Sequence, residues 1–167
     1  MALELNGTTG VSAVQAGAVE SGDLAAGAIG SGDLPAGSVL QVKHTLRRNI
    51  LVVNTSTPTT VLSISVTPTS SNSKILLLCK LQADHADGSK YAVDWYRNGV
   101  AVRTTGELRE VQQQDSADRL ASHFQYFDSP ATTSALTYDV RVKTGGIMQF
   151  SHDDFFDSNL TLMEIAG

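Results

Sequence analysis

Tyr91-Ala92-Val93-Asp94-Trp95-Tyr96-Arg97, then Asn98-Gly99, then Val100-Ala101-Val102-Arg103-Thr104, is the stretch whose reading decides the fold. Two runs rich in β-branched and aromatic residues flank an Asn-Gly pair. Asn-Gly accepts the positive φ angles of a type I′ turn, whose twist matches two antiparallel strands, so the stretch predicts a β-hairpin. In its first strand Tyr91, Val93 and Trp95 share one face, and Ala92, Asp94 and Tyr96 share the other. The first set is the more apolar. Trp95 is therefore expected in a core, with Tyr96 and Asp94 pointing outward.

The same signals continue on both sides. Short runs rich in Val, Ile, Leu and Thr occupy residues 39–45, 49–53, 60–66, 120–127, 135–143, 147–151 and 159–165. In 60–66, Leu62, Ile64 and Val66 alternate with serines, as expected of a half-buried strand. Residues 75–81 carry a heavier apolar load and read as a central strand. Residues 67–72, 84–89 and the polar 107–118, with its three successive glutamines, read as loops; Gly145-Gly146 reads as a tight turn. About nine strands spaced by turn residues, with almost no helical periodicity, predict an all-β, antiparallel β-sandwich or jelly roll, with a closed barrel the lesser alternative. Sandwiches keep edge strands that must be covered or charged. A trimer interface or a partner surface would cover them here.

Before residue 38 the pattern changes. Residues 17–26 (GAVESGDLAA) are followed directly by 27–36 (GAIGSGDLPA), and a degenerate copy precedes them. Each unit offers one β-branched residue and one leucine and little else that is apolar. One copy cannot bury a core, and repeats of this kind gain order by stacking on neighbours or on other chains. Val14, Val19, Leu24, Ile29 and Leu34 are the expected assembly or anchor residues. The alternative is a flexible Gly/Ala-rich linker. Regular helix is not expected, because glycine recurs too often. The expected organisation is an extended repeat segment over 1–37 and a sandwich over 38–167.

With 12 Lys and Arg against 17 Asp and Glu, the net charge is −5, the wrong sign for a protein that must neutralise phosphates, so no nucleic-acid partner is expected. The one basic cluster, Lys43 to Arg48, reads as a solvated strand end. The single cysteine, Cys79, is in phase with Ile75, Leu77 and Leu81 and reads as a small buried hydrophobe. No disulfide or zinc framework can be built from it. No signal peptide and no apolar run long enough to span a membrane is read in the chain, so membrane insertion is not expected.

Asp84-His85-Ala86-Asp87 and His152-Asp153-Asp154 place oxygen and nitrogen ligands in expected loops, but neither has a recognised metal spacing. No Gly-x-Ser-x-Gly elbow, phosphate loop or distinctive carboxylate pair appears. Neither an enzyme nor a cofactor is expected. Asp84, His85, Asp87 and Tyr96 remain as candidate ligand contacts.

Four stretches, residues 34–42 (LPAGSVLQV), 65–76 (SVTPTSSNSKIL), 126–138 (YFDSPATTSALTY) and 160–166 (LTLMEIA), resemble bacteriophage virion surface proteins of the capsid-decorating or fibre-like kind. The last is the most specific. The resemblance implies a homotrimeric jelly roll related in shape to the tumour-necrosis-factor-like fold, mounted on an N-terminal anchoring segment. It implies no catalytic residues. The function expected is a trimeric capsid decoration (cement) protein, made in the host cytoplasm and carried on the virion surface. Its segment 1–37 would lie on a shell built of major capsid protein, and its knob would project. The alternative is a receptor-binding fibre tip that recognises host-surface glycans through the loops around 84–90 and 106–118.

Overall fold

In the computed structural model the chain divides into two units, Met1–Pro35 and Ala36–Gly167. The structure describes residues 30–85, 90–104, 109–110, 120–151 and 156–167. In the first unit the described residues form a short 3₁₀ turn, Ser31–Asp33, closed by Asp33, whose carboxylate accepts a hydrogen bond from the Gly30 amide at 2.8 Å. Leu34, one of the expected anchor residues, follows it and is exposed.

The second unit is built from strands β1 (Val39–Arg47), β2 (Leu51–Val53), β3 (Thr59–Val66), β4 (Lys74–His85), β5 (Lys90–Arg97), β6 (Val100–Arg103), β7 (Arg109–Glu110), β8 (Leu120–Asp128), β9 (Leu136–Thr144), β10 (Met148–Phe150) and β11 (Ser158–Ile165). Every pairing is antiparallel. One sheet runs β1-β11-β4-β8, with β10 and β2 extending it beside the far end of β4; the other runs β3-β9-β5-β6, with β7 beside β5. Setting aside the short β2, β7 and β10, the first long strand pairs with the last and the third with the sixth. The second pairs with the seventh and the fourth with the fifth. That order is a jelly roll.

The expected hairpin forms. Asn98 and Gly99 take φ of 50° and 80°, as a type I′ turn requires. The Asn98 side chain also accepts from the Thr137 amide at 2.8 Å, tying the turn to β9. Leu62, Ile64 and Val66 are buried, as are Cys79 and Trp95. Trp95 stacks on Tyr126 across the two sheets, ring centroids 5.9 Å apart, and Tyr91 meets Phe150 edge-on at 5.6 Å. These aromatic contacts knit β5 of one sheet to β8 and β10 of the other, where large rings fill the space between faces.

Two expected loops are otherwise. Within the polar 107–118 stretch, Arg109 and Glu110 form β7, because Tyr91 and Lys90 of β5 pair with them. Asp84 and His85 belong to β4, because Gln149 and Met148 of β10 pair with them. The strand therefore continues four residues past Leu81.

Candidate interaction surface

The sandwich has two unlike ends. β1 begins, and β3, β5, β8 and β11 finish, at one end, which we call the base; β4 and β9 finish at the other. At the base the polypeptide enters through Gly37, whose amide donates to Ala166 O at 2.8 Å, and the Ala166 amide donates to Ser38 O at 2.8 Å. The connections after His85, before Leu120 and after Ser151 leave from the opposite end.

Two buried carboxylates fasten the base. Glu164, fully buried on β11, accepts from the Thr69 amide at 2.7 Å, the Thr69 hydroxyl at 2.8 Å and Gln41 Nε2 at 2.5 Å. Burial alone would push its pKa up. The donors from Ser73, Gln41 and Thr69 outweigh that and hold it below the ordinary carboxylate value, although the Ser73 hydroxyl lies outside hydrogen-bond geometry. Asp128, at the end of β8, accepts from Arg97 Nη1 and from the Tyr138 hydroxyl, each at 2.7 Å. It thus bridges from its own sheet to β5 and β9. Burial, together with that hydrogen bond to the carboxylate, pushes the Tyr138 phenol far above its usual range.

The two outer faces differ in chemistry. On the β3-β9-β5 face, Ser63 donates to Asp139 at 2.8 Å and Arg141 pairs with Asp139 at 2.6 Å. The same Arg141 covers the Tyr96 ring at 4.1 Å, and Lys143 pairs with Asp94 at 3.0 Å. This is a laced polar surface. On the β1-β11-β4-β8 face the register aligns Val42, Met163, Leu76 and Phe127 in one row across four strands. Val42 and Phe127 are 57% and 56% exposed, and Leu46 and Leu78 on the same face are 40% and 37% exposed. Moving away from the base, the next row is His44, Thr161, Leu78 and Gln125, and the one after it Leu46, Asn159, Lys80 and His123. The polar end of this face holds a hollow of about 480 Å³ lined by Leu78, Lys80, His123, Gln125, Asn159 and Thr161. Lys80 is held there by Asp157 at 2.9 Å.

The candidate ligand residues do not gather into one place. Asp84 lies on β4 at the end away from the base, while Tyr96 lies on β5 of the other sheet near the base, under Arg141. His85 is placed by its backbone in β4. Asp87, His152 to Asp154, and the anchor residues Val14, Val19, Leu24 and Ile29 lie outside the described residues. Among the described residues no three His, Cys, Asp or Glu side chains could hold a metal ion together, and no helix is long and apolar enough to cross a membrane. Burial pushes the Cys79 thiol up to about 12, so at neutral pH it is protonated and a poor nucleophile.

The apolar outer row escaped the sequence reading, although its signal was present. Leu76 and Leu78 stand in the opposite phase to Ile75, Leu77 and Cys79, so both faces of β4 are apolar.

No family model and no curated protein matches the chain. Among solved structures, the chain is similar to capsid protein chains of infectious bursal disease virus. One forms virus-derived T=1 particles, with 11% identity, a TM-score of 0.45, and coverage of 78% of this chain and 37% of that one. Another is the VP2 subviral particle, with 10% identity, a TM-score of 0.47, and coverage of 76% and 38%. A third is the T13 viral particle, with 10% identity, a TM-score of 0.47, and coverage of 78% and 37%. The chain thus spans a little over a third of the length of these proteins.

Proposed function

We propose that this chain is a non-enzymatic structural protein of a bacteriophage virion, a trimeric capsid decoration protein whose N-terminal segment lies on the shell and whose jelly roll projects. The observation that carries the reading is the polarity of the sandwich. The polypeptide enters at the base through Gly37 and Ser38, where Ala166 grips it, and the connections after His85, before Leu120 and after Ser151 leave from the other end. A domain held at its entry point presents that far end outward. The repeat over 17–36, one copy of which is too poor in apolar residues to bury a core, supplies a segment suited to packing against a partner. The resemblance of residues 34–42, 65–76, 126–138 and 160–166 to virion surface proteins points the same way. In a trimer, weak contacts made by each copy of the segment multiply into firm attachment.

Purified protein is mixed with capsids that lack it and sedimented. The full chain should co-sediment. A variant without residues 1–35 should stay in the supernatant while keeping the β-sheet circular dichroism of the Ala36–Gly167 unit, which contains the whole described core. A truncated chain that still co-sediments would remove the anchoring role.

The same polarity favours one second reading, a fibre tip that binds host-surface glycans through the outward end. Inhibition of phage adsorption by the free protein, with no binding to capsids, would move the function there.

A further inference from the structure

The hollow on the β1-β11-β4-β8 face is built by two neighbouring rows of side chains. Thr161, Leu78 and Gln125 make one row, and Asn159, Lys80 and His123 the other, each taken from β11, β4 and β8 in turn. Strands lie about 4.8 Å apart and residues two apart on a strand about 6.6 Å, so the patch measures roughly 10 Å by 7 Å. Thr161, Asn159, Gln125 and His123 stand at its corners, with Leu78 and Lys80 between them. Its volume of about 480 Å³ falls within the roughly 300–1,000 Å³ of small-molecule sites.

The chemistry of these groups narrows the ligand. An amide offers donors and an acceptor, a hydroxyl offers both, and an imidazole presents two ring nitrogens. The Thr161 hydroxyl is held in place by His44 Nδ1 at 3.0 Å. The side chains of Gln125, Asn159 and His123 make no hydrogen bond to another described residue, so their capacity is turned toward the hollow and its solvent. Lys80 is the one permanent charge of the patch, and Asp157 neutralises it at 2.9 Å. An unpaired cation, which a phosphate or carboxylate ligand calls for, is therefore missing from the patch. An apolar ligand fails for the opposite reason. It would strip water from four polar corners and return no hydrogen bonds.

A neutral molecule dense in hydroxyl groups meets every one of these groups. Its hydroxyls can accept from the amides and the ammonium, and donate to the amide oxygens and to Asp157. Lys80 has N–H donors beyond the one that Asp157 takes, and Asp157 has lone pairs beyond the one that Lys80 fills. The pair can thus take two adjacent hydroxyls of one ring, donating to one and accepting from the other. Leu78, 37% exposed between the corners, offers an apolar floor to the C–H face of that ring.

We propose that this hollow binds a neutral saccharide of about disaccharide size, held at its hydroxyl groups by Asn159, Gln125, Thr161, His123 and the Lys80–Asp157 pair. The six lining positions lie on strands, which fix a constellation more firmly than loops do. The site goes beyond the anchoring role, and attachment through residues 1–35 does not depend on it. None of these side chains is an aromatic ring on which a sugar can stack, so one site binds weakly, and many copies on one particle multiply the hold.

The test is a titration of the isotope-labelled full chain with maltose, lactose, cellobiose and chitobiose, each to tens of millimolar, followed by NMR of the side-chain amide signals of Asn159 and Gln125. At least one sugar should move both signals along a saturable curve. Asn159→Ala, followed on the Gln125 signal, and His123→Ala should each weaken that binding by about five- to tenfold. Ser65→Ala, on the opposite outer face, should leave it unchanged. If a variant misfolds, the wild-type signals decide alone. Four sugars that move neither signal overturn the proposal, and so does a saturable shift confined to residues outside the patch. Inorganic phosphate or glucuronate moving the same signals at lower concentration than any of the four overturns the neutral ligand. Because co-sedimentation with capsids reads the anchoring role separately, a failed titration leaves that role standing, and failed co-sedimentation leaves this site standing.

Discussion

Asp128 and Glu164 solve the same problem by different chemistry. Asp128 is bridged by a cation and a phenol, so losing one donor leaves the other. Tyr138→Phe should cost about 1–2 kcal/mol, while Asp128→Ala, which strands the Arg97 guanidinium beside the Tyr138 hydroxyl, should cost about 3 kcal/mol; urea denaturation measures both. Among the described residues Glu164 is hydrogen-bonded by neutral donors, Gln41 and Thr69, and by no cation. Its pKa in the folded chain is lowered, so its contribution is full above the ordinary carboxylate range and is lost as pH falls through the folded value. Glu164→Gln should therefore destabilise by about 1–2 kcal/mol near pH 7, and the gap to wild type should close toward pH 3. Equal urea midpoints at neutral pH would refute this. Neither network could be read from the sequence. Glu164 bonds Thr69 and Gln41 from far along the chain, and Asp128 bonds Arg97 and Tyr138 on two strands of the opposite sheet; a carboxylate in a strand gives no sign of which partners will fold over it.

The β5-β6 hairpin could be read, because its determinants are local. Gly99 at φ 80° occupies a conformation that costs an L-residue about 1 kcal/mol or more. Gly99→Ala should lower stability by about that amount, with near-wild-type spectra, in thermal melts. Alternation likewise placed Leu62, Ile64 and Val66 in the core. Where strand length depended on a distant partner, local reading failed: Asp84 and His85 look like turn residues and become strand only because β10 arrives beside them. The outer apolar row failed for another reason. A run apolar on both faces reads as a central strand, and β4 is central, yet nothing local says that its second face meets solvent in the single copy. Burial within a chain and burial between chains leave the same mark on a sequence.

For the whole molecule, the order of strands matters as much as their number. β11 pairs with both β1 and β4, so the strand nearest the end of the sequence fills the middle of a sheet begun near residue 39. A ribosome adding about 5–20 residues per second needs roughly 5–20 s to make the roughly hundred residues between Arg47 and Ser158. Throughout that time β1, and β4 from the moment it is made, lack the strand that joins them. A chain that stops before Ser158 should therefore precipitate when expressed, recovered mainly in the pellet on sedimentation, where the full chain stays in solution. Lys43 and Arg47 put charge on β1, an edge strand, and in the finished fold Arg47 seals part of the neighbouring β3 edge through Val61 O; in the unfinished sheet that charge alone does not replace the missing β11.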